Sequence, residues 1–466
     1  MEETLCKRRA LKKAVGLMKQ SLIMRATLLS LLFSLFIVFS SSNSNAENLL
    51  EVYKLSKKED PRFAAAQHLH KSSREKETQA YASLYPTVSL SGQYSNKNQD
   101  IKSSDNTLFG EGDADSKDKE YTFAINQPIF RYTDIVRLKQ AKAEMSKADA
   151  EHEEAKQELL LRVSELYFGA LAAKDSMEYV GAELAAVEVH YQTAEARNRA
   201  RLAPITDLYD ARARLATVTA NKIESENKLE DAIEALKETC GSYVEDFSFL
   251  TEELPLLPPV PSEVKPWIKL ANEENKSLLI QRYNVEAAEK EIKRLKAGHY
   301  PTLDLALQYN YRDTDGSLFG GASEVETKEA LLQLNIPLYQ GGMVSSKTKE
   351  AIETHMAASK VFEQQARAVT REARAAYNGI KTAISKVNAL KQALASQELA
   401  LNAKQEGFKS GLYASLAVLD AERDYYFAKR DLSQAKYDYV LNTLRLKKAV
   451  GVLQEEDLAK VNDWLK

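Results

Sequence analysis

Hydrophobic positions along this chain follow two periods, and the change from one to the other falls at matching places in its two halves. In YPTLDLALQYNY, from Tyr300, Leu303, Leu305, Leu307, Tyr309 and Tyr311 alternate with Thr302, Asp304, Ala306, Gln308 and Asn310. An earlier segment, YPTVSLSGQY from Tyr85, sets Val88, Leu90 and Tyr94 against Ser89, Ser91 and Gln93. Strict period-two alternation predicts strands with one apolar face, over 86–95 and 119–127 in the first half and 301–311 and 328–336 in the second. A strand of a membrane barrel needs ~9–11 residues, apolar toward lipid and polar toward a lumen. The edge of a soluble sandwich would alternate in the same way.

From Ile352 onward the period becomes seven. Phe362, Val369, Ala376, Ala383 and Leu390 form one seam, and Ala366, Ala373, Ile380, Val387, Leu394, Leu401 and Phe408 a second. In the first half Leu159, Leu166, Ala173 and Val180 run beside Val163, Ala170, Met177, Leu184 and Tyr191. Two heptad seams sustained this long predict coiled-coil packing, with the many alanines letting helices approach closely. A helix of about 65 residues is ~100 Å long, enough to cross a wide aqueous compartment.

These segments belong to an internal duplication. LAPITDLYDARARL, from Leu202, aligns with LYASLAVLDAERDY, from Leu412, so that Asp210 meets Asp420 and Gly241 meets Gly451 at a constant offset of 210. The YPT segments align at an offset of 215. The first repeat is read as 47–250 and the second as 267–466, each a helix, two strands, a long helix and a return helix. The leading helices are expected over 48–83 and 267–296, and the return helices over 206–240 and 416–450, ending at glycines that suit C-terminal caps. TEELPLLPPVPSEVKP (251–266) holds five of the eleven prolines and is expected to be an extended connector. GlyGly at 341–342 is read as a flexible joint, since a phosphate loop would need more glycines and a lysine partner.

The loop 97–119 is Asp-, Ser- and Gly-rich and suits an extracellular position. Its Asp113, Asp115 and Asp118 could hold calcium but lack the spacing of a complete ligand loop. At the N-terminus, an apolar run from Ala26 to Phe39 follows Lys19 and Arg25 and ends in SSSNSNA. That pattern predicts a secretory signal over 1–46, cleaved after Ala46, and the run is short for a spanning anchor, which needs ~20 apolar residues. Met24 stands just ahead of the run as an alternative translation start. Removal of 1–46 changes the net charge from −3 to −8. Mild acidity without a basic stripe argues against nucleic acid as a partner. Cys240 would be the lone thiol of the exported chain, so no disulfide framework is expected. The six histidines are scattered, no nucleophile–base set or metal-ligand spacing is evident, and neither catalysis nor a cofactor is expected.

ENLLEVY from Glu47, PITDLYDARARL from Pro204, LNIPLYQGGMV from Leu334, VLDAE from Val418 and LKKAVGVLQEEDLAKVN from Leu446 occur in that order. In these segments the chain resembles the TolC family of outer-membrane efflux proteins over essentially its whole mature length. The resemblance implies an α+β membrane protein of a Gram-negative outer membrane. It would be a homotrimer in which each protomer gives four strands to one shared barrel, continuous with a long periplasmic helical tunnel, with the C-terminal end at the equator. Four strands are too few to close a barrel alone. An exit duct for drugs, toxins or proteins is implied, served by a periplasmic adaptor and an inner-membrane pump of the RND, ABC or MFS type. A structural or adhesive coiled-coil envelope protein with no pore is the different-class alternative.

The resemblance also assigns a gate at the periplasmic tips. Asp207, beside Thr206, takes the position of the latch carboxylate. Its family partners, a tyrosine and an arginine, are replaced here by Phe408, which cannot hydrogen-bond, and Tyr413, a neutral phenol. Asp420 matches one acidic ring of the constriction, whereas Ala417 stands where the second carboxylate would be. Asp210 is the repeat-mate of Asp420. Leu202, Pro204, Gly411 and Leu412 mark the tips on which the adaptor would dock. Near a helix start, Asp207 would also suit an N-cap.

Overall fold

A computed structural model describes residues 48–103, 112–244, 246–316 and 321–465. The signal segment expected over 1–46 lies outside these residues, as do 104–111 and 317–320. Asn48–Val244 with Phe249–Lys466 forms one compact unit, which is the body described below.

The unit begins with α1 (Leu49–Glu59) and α2 (Pro61–Ala82), then β1 (Thr87–Ile101) and β2 (Gly112–Phe130). The long α3 (Tyr132–Arg199) and returning α4 (Ile205–Cys240) follow. The same order recurs in α5 (Val264–Glu274), α6 (Lys276–Lys296), β3 (Thr302–Asp315), β4 (Ser323–Asn335), α7 (Met343–Lys409) and α8 (Ser415–Ala449), and α9 (Glu455–Asn462) closes the chain. No helix among the described residues is long and apolar enough to cross a membrane.

The leading helix is broken in both halves, where continuous helices were expected over 48–83 and 267–296. Asp60, at φ −65° and ψ 116°, sits before Pro61, which drives its predecessor out of helical geometry. Its carboxylate then caps the backbone N–H of Arg62 and Phe63 and pairs with Arg162 of α3. Asn275 makes the same break without a proline, at φ −60° and ψ 125°. Its Oδ1 accepts from the N–H of Leu278 and its Nδ2 donates to the Ala449 carbonyl. The connector is also shorter than expected. Pro266 belongs to the first turn of α5, where a missing N–H leaves no intrahelical bond unmade.

The four strands form one antiparallel meander in the order β1-β2-β3-β4, so β2 against β3 joins the two repeats. Alternation underestimated their length, because β1 continues to Ile101 and β2 begins at Gly112. Charged rungs extend the ladder beyond the apolar stretch. Lys97 pairs with Asp118 at 3.0 Å, Lys119 with Asp313 at 3.2 Å, and Arg312 with Glu120 at 2.9 Å. Asp115 accepts from Asn98 and Asp118 also from Thr314, so these aspartates are rungs of the sheet instead of loop residues.

Register gives the sheet two faces. Leu90, Phe123, Tyr309 and Lys328 are aligned across one face, with Val88, Ile125, Leu307 and Ala330 below them. Ser91, Thr122, Asn310 and Thr327 are aligned on the other. Val88, Leu90 and Tyr94 are exposed, and every residue of β4 is exposed. Only β2 and β3 are paired on both sides, which leaves β1 and β4 as open edges.

Below the sheet, α3 packs on α2, α4, α6 and α8, while α7 packs on α5, α6 and α8. Many seam positions are small and fully covered, including Ala170 and Ala211 in the first half and Ala373 and Ala421 in the second. The bulkiest buried side chains, Tyr53, Tyr167, Phe168 and Tyr439, gather on α1, α3 and α8. Phe168 lies 5.6 Å from Tyr437, whose hydroxyl donates to Asp175 at 2.8 Å.

Candidate gate at the helical tips

Each hairpin turns at its tip by the same hydrogen-bond pattern. The N–H of Leu202 donates to the Arg197 carbonyl at 2.8 Å and that of Arg201 to Asn198 at 2.9 Å. In the second hairpin, Leu412 donates to Gly407 at 2.7 Å and Gly411 to Phe408 at 3.1 Å. Both are Schellman closures, which need a left-handed residue just past the helix. Gly411 supplies it at φ 79°, but its repeat-mate is Arg201 at φ 56°, among the described residues the one non-glycine at positive φ. A side chain there is strained by roughly 1–2 kcal/mol. The strain was not anticipated, although the 210-residue offset placed an arginine against a glycine.

The return helices start at Pro204 and Ala414, neither of which caps its helix through a side chain. Asp207 is the third residue of α4, so it is not the N-cap. It complements the helix dipole from the first turn. The tips present apolar side chains to solvent, with Leu202 72% and Leu412 75% exposed and Ile205, Tyr209 and Leu416 exposed beside them.

Within the protomer the residues assigned to the latch do not bond one another. Thr206 is exposed and Asp207 half-buried. Phe408 is edge-on to His190 at 6.3 Å, with the Arg197 guanidinium 5.3 Å over its ring. It packs on the cluster of Leu401, Val418 and Ala421. Tyr413 lies across Gly407, where an added Cβ would come within 2.4 Å of its ring, and the residue is 43% exposed.

Asp420 is half-exposed on α8 and Asp210 exposed on α4. Nη1 of Arg423 approaches Asp420 at 3.4 Å, while its Nη2 donates to Asp424 at 2.9 Å. These two carboxylates raise the affinity of Arg423 for its proton, Asp424 the more. Asp420, from which an acidic ring was expected, therefore has a cation beside its carboxylate in the protomer. An Asp and an Arg three apart on a helix signal that pairing in the sequence itself. Among the described residues, no group of three or more His, Cys, Asp or Glu is arranged to hold a metal ion.

At the other end of α3, where the helices meet the sheet, a cavity of about 430 Å³ is lined by Thr87, Asn126, Arg131, Asp134, Asp304 and Gln333. Nε of Arg131 donates to Asp304 at 2.7 Å, and this bond holds the guanidinium charged.

A family profile described as outer membrane efflux protein matches residues 52–242 and 267–452. The chain belongs to that family. Among its relatives, outer membrane protein TolC of Vibrio cholerae is 32% identical over 423 residues, covering 90% of this chain and 94% of the relative. Outer membrane protein TolC of Escherichia coli K12 is 32% identical over 450 residues, 94% and 89% of the two chains. Alkaline protease secretion protein AprF of Pseudomonas aeruginosa is 28% identical over 440 residues, 93% and 90%. In fold, the chain superposes on the CmeC outer membrane channel of Campylobacter jejuni with a TM-score of 0.77, at 15% identity and 90% coverage of each. The fold class implied by the resemblance, barrel strands continuous with long helices, is the one these channels have. Family membership places the protein in the outer membrane of a Gram-negative cell, as an efflux duct with a periplasmic extension.

Proposed function

We propose that three copies assemble into a passive exit duct that carries drugs, toxins or proteins from inner-membrane pumps, closed at rest by the helical tips. The observation that carries this reading is the two-faced sheet with two open edges. Its apolar face suits lipid, its polar face lines a lumen, and β1 of one copy can pair with β4 of the next. The spread of relatives, from TolC to a protease secretion protein, supports a duct that serves more than one kind of cargo.

The exposed apolar tips, Leu202 and Leu412 with Pro204 and Gly411 at the turns, are the docking surface for a periplasmic adaptor. Energy comes from the partners, and the adaptor opens the tips by binding the open form better. The gate is held between protomers. Asp207 is half-buried and Tyr413 is 43% exposed, and among the described residues neither side chain is hydrogen-bonded within the protomer, so both are free to meet a neighbouring copy. Asp420, and by symmetry Asp210, set the charge of the constriction.

The test is single-channel conductance of the purified trimer in a planar bilayer. A small cation-selective current that loses selectivity in Asp420→Ala supports the duct and its constriction. No current from an inserted trimer, even with adaptor added, would return the protein to the scaffold reading.

A further inference from the structure

About ten residues above each tip, the two hairpins of one protomer are joined by an ionisable pair, a buried carboxylate and a half-buried imidazole. Nε2 of His190, on α3, lies 3.1 Å from Oε1 of Glu422, on α8. A carboxylate can only accept, so the imidazole nitrogen carries the proton and donates. Gln405 of α7 donates to the same oxygen at 3.3 Å. Glu422 is 4% exposed and its Oε2 is buried without a partner in the protomer. A buried carboxylate with one orphan oxygen is expensive, and its stability depends on the charge of the few groups that touch it.

The surrounding cations are otherwise committed. Arg214 of α4 holds the buried Glu183 of α3 at 2.5 Å. Arg423 is divided between Asp424 and Asp420. Arg197 lies over the Phe408 ring, and Lys429 lies over Tyr425 at 4.9 Å. Tyr426, whose phenol is pushed up by burial and then by Glu422 and Glu183, adds no positive charge. Among the described residues, Glu422 therefore has one direct partner able to become a cation, and that partner is His190.

The contrast between the two pairs is informative. Glu183–Arg214 links α3 to α4 inside one hairpin through a permanent charge. His190–Glu422 links α3 to α8 across the two hairpins through an imidazole, which is a cation only when it is protonated. We infer that His190 and Glu422 form a proton-sensitive clasp that holds the second hairpin against the first and so keeps the tips closed. This inference rests on the gated-duct reading and adds gating residues to it, away from the tips. Imidazolium strengthens the hydrogen bond to the carboxylate, so acid favours closure. Loss of that proton leaves a neutral donor against a buried anion, and the hairpins part more easily.

Two readouts test the clasp, taken on the full-length trimer as pH is raised from about 5 to 8. One is bilayer conductance. The other is the spin-label distance between Ala200→Cys and Ser410→Cys, at the ends of α3 and α7, in a Cys240→Ser background. The expected result is wider tips and larger conductance at high pH, with the open-to-closed ratio changing about tenfold. Both responses should be flattened in His190→Gln, which removes the titrating group, and in Glu422→Gln, which removes the anion it acts on, and each variant keeps a hydrogen bond. A pH response of the tip distance that survives in both variants overturns the clasp. So does a conducting wild type whose tip distance ignores pH, which leaves the duct standing. A tip distance that follows pH and is flattened in the variants, without current at any pH even with adaptor added, supports the clasp and removes the duct.

Discussion

Alanine substitution at the two glycines that end the return helices should give unequal losses. Gly241 and Gly451 are repeat-mates, at φ 75° and 80°. In both, an L side chain meets the left-handed penalty of roughly 1–2 kcal/mol. What differs is the surroundings. A Cβ on Gly241 meets Cβ and Cγ of Glu59 at 3.1 and 3.3 Å, a contact relieved when the last residue of α1 gives by a few tenths of an ångström. A Cβ on Gly451 comes within 2.2 Å of the Glu274 carbonyl oxygen and 2.7 Å of the Asn275 Cα. That backbone is the break between α5 and α6, and it is anchored by Asn275 Nδ2 to Ala449 at 2.9 Å. Gln157 further fixes Gly451 by donating to its carbonyl at 2.8 Å. Relief of the clash displaces these bonds, each worth about 1 kcal/mol and more if a buried group is left unpaired. Gly451→Ala should therefore destabilise by roughly 4 kcal/mol or more, against about 1–2 for Gly241→Ala. Denaturant unfolding of the detergent-solubilised protein, followed by circular dichroism, measures both. Equal losses would refute the argument, because they would mean that the left-handed backbone alone sets the effect.

Arg201→Gly should stabilise by about 1 kcal/mol, through relief of the positive φ at the first tip, in the same unfolding assay. Arg423→Gln should increase cation selectivity and Asp420→Asn decrease it. The pair is half-exposed, so each changes the permeability ratio by no more than about fivefold, read from reversal potentials in a salt gradient. Tyr413→Phe should raise single-channel conductance if the phenol restrains Asp207, and an unchanged value removes Tyr413 from the latch. Burial pushes the Asp175 carboxyl up, against the opposing hydrogen bonds from Tyr437 and Ser433. The folded chain then holds that proton more readily than the unfolded one, so the stability from this group is present at low pH and lost as pH rises out of the carboxylate range. Asp175→Asn should flatten that part of the stability–pH curve, and an unchanged curve would exclude Asp175 as its source.

Element type and order were legible because both depend on periodicity. Heptads at Val369 and Ala373, and alternation from Leu303 to Tyr311, are consequences of which face is covered. Strand ends were not legible, since Lys97–Asp118 and Arg312–Glu120 continue the ladder by charge where no apolar pattern remains. The break at Asp60 had a proline to announce it, whereas that at Asn275 rests on a side chain reaching Ala449, distant in sequence. At the tips, positions could be assigned by resemblance, but contacts could not. His190 meets Glu422 from 232 residues away, and nothing local in either segment indicates the partner.

The open edges of β1 and β4 bear on how the protein reaches its membrane. A single copy placed in lipid would expose two rows of unpaired peptide groups, each costing several kcal/mol, or tens of kcal/mol together. A lone inserted subunit is therefore not a stopping point, and insertion and ring closure must be coupled during biogenesis. A copy whose β4 edge is spoiled, for instance by a proline at Leu331, would still offer its β1 edge. It would enter nascent rings and prevent their closure, so a minority of such copies, co-expressed with the intact chain, should remove most of the finished channels from the cell.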